Sequence, residues 1–368
     1  MSSRISILLP DLNGGGAERV HLLLAQEFES AGHKVEFVLM RARGDLLSEA
    51  ESQFSVHSLN CERFRHIPLR LSRYLRTQRP DVLLAAMWPL TGVAALATLI
   101  SGNKVKLVAS EHIDFCATSS RKWIERLFLK RFGRYIYSPC RHIIAVSQGV
   151  AESLKIAAGL RPDRITVIHN PIGDYLPSEI GEDDRHMLSG WLDANDRLIA
   201  IGRLADQKRF DVLLRSFAEV RRQRNARLLI LGEGPLREQL QELARNLGVA
   251  EVVWMPGFRQ NPATFLQHAK VFVLSSDYEG LGNVIIEALA GGVPVVSTDC
   301  PSGPNEILEN GKYGLLVPVG DHYEMSKAIL RLLETQPNKK ELMHRAEHFT
   351  PDAKAKSYLE LLLGEKTF

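Results

Sequence analysis

The sequence predicts two doubly wound α/β domains, each a parallel sheet covered by helices on both faces. Short apolar runs recur along the whole chain and alternate with segments of helical period. The runs are almost continuously apolar, as strands buried on both sides must be. With 368 residues, 45% of them hydrophobic and 24% charged, the chain has room for two cores at roughly 150 residues per domain.

In order, the first half offers RISILL at 4–9, KVEFVLM at 34–40, DVLLAA at 81–86, VKLVAS at 105–110 and HIIAVS at 142–147, with the strand-like RITVIHN at 164–170. The second half offers RLIAIG at 197–202, ARLLIL at 226–231, EVVWM at 251–255, KVFVLS at 270–275, VPVVS at 293–297 and GLLVPV at 314–319. Between them, segments such as GGAERVHLLLAQEFESAG and PLREQLQELARNLG place apolar residues at helical spacing with a glycine just past the end. The stretch 171–191, rich in Pro, Gly and acids and poor in apolar periodicity, reads as a linker. Residues 1–172 and 173–349 are the resulting domains, expected to hold a ligand in the cleft between them.

Charge and cysteine content narrow the class. Residues 1–174 carry 23 Lys and Arg against 16 Asp and Glu, and the remainder 23 against 27, so the halves stand at +7 and −4. Cys61, Cys116, Cys140 and Cys300 have no metal-ligand spacing and are too few for a disulfide framework, which points to a reducing cytosol. The apolar run near the N-terminus is too short for a secretory segment, and the longest apolar stretch, 89–102, falls short of the ~20 residues that span a bilayer.

Three glycine-bearing turns carry the chemistry. NGGGAERV at 13–20 joins the first strand to the first helix, so the N–H groups around Gly15 and Gly16 can face an anion at the positive helix end. A dinucleotide fingerprint would need Gly or Ala at Arg19 and an acid after the second strand, where Met40 and Arg41 stand. A plain strand-to-helix turn remains open for this loop. In IGRLADQKRFDVLLRSF, Gly202 and Arg203 end a strand and Lys208 precedes a helix, so two cations share one carboxyl edge. DYEGLGNVIIEALAGG sets Gly280, Leu281, Gly282 and Asn283 at a helix start, with Glu279 in the turn and Glu287 two turns on. A carboxylate between Ile286 and Ala288 is costly unless something specific hydrogen-bonds to it.

Glu279 and Glu287 eight positions apart, the Gly202–Arg203–Leu204 run with Lys208, and GGAER near the start resemble the retaining glycosyltransferases of family 4, which have the two-domain GT-B fold. The motifs keep the family's order across almost the whole chain. The resemblance implies that Arg203 and Lys208 clamp the donor diphosphate, doing the work that a metal does elsewhere, so no metal and no cofactor beyond the nucleotide-sugar substrate is expected. It implies that Glu287 accepts hydrogen bonds from the ribose, that Glu279 lies near the donor sugar, and that the backbone of 280–283 faces phosphate and sugar. Phe258, in PGFRQNP, matches the segment framing the base, although an ordinary turn suits it too. His112, beyond the strand VKLVAS, matches the active-site histidine, which would hydrogen-bond to the donor sugar; no nucleophile for a covalent intermediate can be assigned. The last segment, 350–368, would return to the first domain as the family's last helix does.

The family subgroup most similar to this pattern extends polyprenyl-diphosphate-linked oligosaccharides from UDP-N-acetylhexosamines. Leu281 and Gly282 depart from the phenylalanine and proline often found there, which leaves the donor sugar open. Two basic stretches with interleaved apolar residues, 63–80 and 121–137, suit an anionic membrane surface, placing the protein on the inner face of the cell membrane; a solvated helix face is the plainer alternative, and nothing resembles a base-reading module. A soluble acceptor, or a nucleotide-sugar epimerase of the same fold, would share the donor site, and a non-catalytic nucleotide-sugar-binding subunit would not need the intact charged set.

Overall fold

The computed structural model describes residues 2–116, 123–173, 176–335 and 337–364, with the side chains of 123–126 also outside the description. The chain divides into two compact units, Met1–Gly173 together with Phe349–Phe368, and Asp174–His348.

In the first unit the elements run β1 (Arg4–Leu9), α1 (Gly16–Ser30), β2 (Lys34–Leu39), α2 (Leu47–Gln53), β3 (Ser55–Ser58), α3 (Ile67–Gln78), β4 (Val82–Ala86) and α4 (Leu90–Ser101). There follow β5 (Lys106–Glu111), α5 (Trp123–Ile136), β6 (His142–Ala145), α6 (Gln148–Ala158) and β7 (Ile165–Val167). The seven strands form one sheet in the order β3-β2-β1-β4-β5-β6-β7, every neighbouring pair parallel. The order reverses between β1 and β4, so the carboxyl edge there is a crevice.

Alternate residues of β1 face opposite layers. Ile5, Ile7 and Leu9 join Val20, Leu24 and Phe28 of α1 in one core. Ser6 points the other way, to a buried polar knot in which Glu36 of β2 accepts hydrogen bonds from Arg4, Ser6 and Tyr74. Burial opposes the Glu36 charge, but those donors outweigh it and hold the carboxyl below its ordinary range.

The second unit runs α7 (Glu182–Met187), α8 (Ser189–Leu192), β8 (Asp196–Ile201), α9 (Phe210–Arg221), β9 (Ala226–Leu231), α10 (Arg237–Asn246), β10 (Val253–Gly257) and α11 (Ala263–Leu266). It continues with β11 (Val271–Leu274), α12 (Asn283–Ala290), β12 (Val295–Thr298), α13 (Pro304–Ile307), β13 (Leu315–Val317), α14 (His322–Glu334) and α15 (Lys339–Glu347). Its parallel sheet has the order β10-β9-β8-β11-β12-β13, with the reversal between β8 and β11. The chain then re-enters the first unit as α16 (Pro351–Leu363), which packs on α1 and β4. Leu359 and Leu362 of α16 are buried in that core, each contributing ~1.5–3 kcal/mol before entropy is counted.

Two local expectations need correction. SVHS, unmarked in the sequence, is the edge strand β3; it is too short and too polar to stand out, and β2 templates it. The stretch read as linker folds at its end into α7 and α8, the first opened by Glu182, Asp183 and Asp184 and the second burying Trp191, whose indole N–H donates to Leu198 O. Between β12 and β13, Pro304–Ile307 form the short helix α13. Of the basic stretch 121–137, Arg121 and Lys122 lie outside the described residues, as does the side chain of Arg126.

Candidate active site

In the second unit most of the candidate residues gather where the strand order reverses. Gly202 and Arg203 leave the end of β8, a 3-10 turn at Asp206–Lys208 follows, and Ser275 to Gly282 link β11 to α12. Two loops far apart in sequence are laced together: Asp277 N–H donates to Gln207 O at 2.9 Å, Gln207 Nε2 to Tyr278 O at 2.7 Å, and Ser275 Oγ to Lys208 O at 2.7 Å. Arg209 adds an ion pair to Asp277 at 3.0 Å. With its backbone fixed in this way, Lys208 extends its ammonium to Glu279 Oε1 at 2.6 Å, and Ser276 Oγ donates to the same oxygen at 2.6 Å.

The pair is well shielded, the Lys208 and Glu279 side chains being 17% and 9% exposed. Such a pair costs desolvation, so it stands only because both charges and the serine are satisfied together. Glycine makes room for it. A β-carbon on Gly202 would meet Lys208 Cε at 3.1 Å, inside ordinary contact, and one on Gly232 would lie 1.9 Å from Gly202 O. Gly282 takes φ +92° at the N-cap of α12, a conformation costly for other residues, and no side chain caps the helix there.

Of the other residues singled out in this unit, Arg203 is exposed at the strand end, Leu281 is buried so that its backbone is what it can offer, and Glu287 is half-buried on the second turn of α12. Phe258 is exposed after β10, two strands from β8 in the sheet. Burial, with Glu279 nearby, pushes the Cys300 thiol up to about 12, so it stays protonated.

The first unit holds Gly15, Gly16 and His112. Gly15 caps α1 without a side-chain cap, and the Glu18 carboxylate folds back so closely that a β-carbon on Gly15 would lie 2.3 Å from Glu18 Oε2. The positive end of α1 therefore already carries an internal anion. Burial raises the Glu18 pKa, with Asp11 adding to it.

His112 follows β5. Its Nε2 is 3.0 Å from Ser110 Oγ, which lies 3.2 Å from the Tyr358 hydroxyl of α16. Its ring lies 5.1 Å from that of His21 on α1. His21 is fully buried with Nδ1 2.8 Å from Ala17 O, and burial lowers its pKa to about 4. Burial, helped by His21, also holds the His112 imidazole well below its ordinary value, so both rings are neutral at pH 7. Next to His112, Glu111 is buried and accepts from Trp88 N at 2.9 Å, Thr91 Oγ1 at 2.7 Å and Tyr137 OH at 2.6 Å; burial nonetheless raises its pKa to about 7.

Sequence reading missed Ser276, His21, Ser110, Tyr358 and Glu111. A histidine inside the apolar run VHLLLA and an acid ending VKLVASE were the available signals, and each is equally compatible with a packed interior.

The Glycosyltransferase Family 4 pattern matches residues 14–174, and the pattern for Glycosyl transferases group 1 matches residues 195–335. A relative from Campylobacter jejuni, N-acetylgalactosamine-N,N'-diacetylbacillosaminyl-diphospho-undecaprenol 4-alpha-N-acetylgalactosaminyltransferase, is 28% identical, over 98% of this chain and 100% of its own. The lipopolysaccharide core biosynthesis glycosyltransferase LpsE of Rhizobium meliloti is 29% identical, over 95% of this chain and 96% of its own. Among solved structures, Anabaena HepE in complex with UDP and glucose superposes with a TM-score of 0.81 at 21% identity, covering 99% of this chain and 100% of its own.

Proposed function

Because the chain belongs to glycosyltransferase family 4 and has its GT-B fold, we propose that it moves a sugar, an N-acetylhexosamine, from a UDP-sugar to a polyprenyl-diphosphate-linked glycan with retention of configuration and without a metal. The observation that carries this is Lys208, held by Glu279 at the reversal of the second sheet with Arg203 on the same strand edge. As the bond from sugar to diphosphate breaks, negative charge grows on the departing UDP, and fixed cations there favour the transition state over the ground state. One ammonium hydrogen goes to Glu279, leaving two for phosphate oxygens. Glu279 fixes the ammonium, while Gly280 to Asn283 lie at the positive end of α12. Glu287 takes the ribose hydroxyls, and Phe258 borders the base. His112, neutral, offers a ring nitrogen to a sugar hydroxyl, and Gly15 and Gly16 border the donor from the first unit.

The lipid acceptor is supported by the Campylobacter relative, whose name specifies a diphospho-undecaprenol substrate. It is supported also by exposed Leu127, Phe128, Phe132 and Tyr135 among Lys130, Arg131 and Arg134 on α5, a surface suited to anionic lipid at the inner face of the cell membrane. Among the described residues no helix is long and apolar enough to cross a membrane. Incubating the protein with a panel of UDP-sugars and a polyprenyl-diphosphate-linked saccharide, followed by mass spectrometry and product-anomer assignment, tests the reading. Transfer of a single sugar with retention supports it; sugar interconversion without acceptor would make the protein an epimerase.

A further inference from the structure

Within the first unit His112 meets the Ser110 hydroxyl and the His21 ring, and the same hydroxyl leads on to a third group, Tyr358. Tyr358 comes from α16, the segment that returns after the whole second unit, and has no exposure. Ser110 Oγ is the one hydrogen-bond partner of its hydroxyl among the described residues, at 3.2 Å. The same serine oxygen is 3.0 Å from His112 Nε2. His21 donates Nδ1–H to Ala17 O, since a carbonyl can only accept, and burial keeps its ring neutral, which leaves the lone pair on Nε2.

We propose that Tyr358 is a positioning residue that, through Ser110, fixes which nitrogen of His112 carries the proton. The argument is a proton count. A serine hydroxyl has one hydrogen and two lone pairs, so it could accept from both Tyr358 and a His112 Nε2–H, but its own buried hydrogen would then have no acceptor among the described residues; accepting from Tyr358 and donating to His112 Nε2 satisfies all three groups, and the imidazole proton then sits on Nδ1. The opposite polarity leaves the phenol proton without an acceptor in a dry site, which costs about 1–3 kcal/mol. Burial pushes the Tyr358 phenol up to about 12, so it keeps that proton throughout the working pH range. Since both histidines are neutral, the tautomer rather than the charge of His112 distinguishes a productive ring from an unproductive one. The C-terminal helix thus sets the chemistry of a residue more than two hundred positions earlier. The consequence for turnover rests on the reading of His112 as a group that meets the donor sugar.

The test uses heavy-nitrogen-labelled histidine and NMR tautomer assignment in the full-length protein, with His112 identified by its loss in His112→Asn. The native protein should show His112 protonated on Nδ1, and Tyr358→Phe should move the proton toward Nε2. The kcat of Tyr358→Phe should fall about 10-fold with donor KM changed by less than about two-fold, as expected for a lost orienting partner. Ser110→Ala should release the tautomer in the same way, which keeps the proposal open to test if the phenylalanine variant folds poorly. An unchanged Nδ1–H pattern in both variants overturns the relay whatever happens to kcat, because a rate loss alone then reflects packing. A shifted tautomer with undiminished kcat leaves the relay standing and removes His112 from the reaction.

Discussion

Lys208 Nζ and Glu279 Oε1 lie 2.6 Å apart, although 71 positions separate them in sequence. The pair ties the loop after β8 to the loop after β11, and Ser276 closes the same carboxylate oxygen. If Lys208 meets the donor diphosphate as proposed, a carboxylate holds that cation in place before any donor arrives, and its position costs little reorganisation during reaction.

Removing the cation leaves a buried carboxylate alone. Lys208→Ala should lose about 3 kcal/mol of stability, because an uncompensated charge is worse than no pair. Adding Glu279→Gln to it should restore most of that loss. Chemical denaturation of the two variants measures the difference; equal stabilities would mean that the pair carries no structural load.

Glu111 gives a pH signature. Its pKa rises from the ordinary 4.5 to about 7 in the folded protein, so the unfolded chain binds fewer protons between those values. Stability from this group is therefore fully present below 4.5 and is lost as pH rises through about 7, by about 3 kcal/mol in all. Glu111→Gln can present its carbonyl to Trp88 N–H and its amide to Thr91 and Tyr137, and should remove that slope. Unfolding curves across the window check it, and a slope equal in both proteins contradicts the buried-acid assignment.

His21 titrates in the opposite sense. Its folded pKa of about 4 lies below the ordinary 6.5, so the unfolded chain takes up protons first and stability falls as pH drops between those values. Relative to His21→Leu, the native protein should lose about 3 kcal/mol from pH 6.5 to 4. Denaturation of both proteins at those two pH values measures it; parallel losses would show that the ring protonates freely.

Much of this was legible in the sequence, and the exceptions have physical causes. RISILL and ARLLIL read as strands because residues buried on both faces leave a continuous apolar run. SVHS left none, being an edge strand of four residues held by β2. The glycines and charges near the β8 and β11 edges were visible, because such turns need those residues locally. Which partners they find was not: Lys208 meets Glu279, and Ser110 meets Tyr358, only after the sheet and α16 are assembled. Periodicity marked the helix that carries His21 but not the imidazole that it meets.

The basic and aromatic face of α5 gives a surface prediction. Lys130→Ala combined with Arg131→Ala should weaken sedimentation with anionic vesicles by roughly 30-fold at low salt, at ~1 kcal/mol per cation, and hardly at high salt. Unchanged sedimentation would leave the aromatic residues of α5 without a lipid partner.

The most direct test is the rate of sugar transfer at saturating donor, with chelator or with Mg²⁺, for the native protein and Lys208→Ala. The native rate should be the same under both conditions, and the variant should be slower by about 10²- to 10³-fold with the fold intact, as for loss of one transition-state charge partner. A variant that turns over at the native rate, or a native rate abolished by chelator, would contradict the assignment of the leaving diphosphate to Lys208 and Arg203.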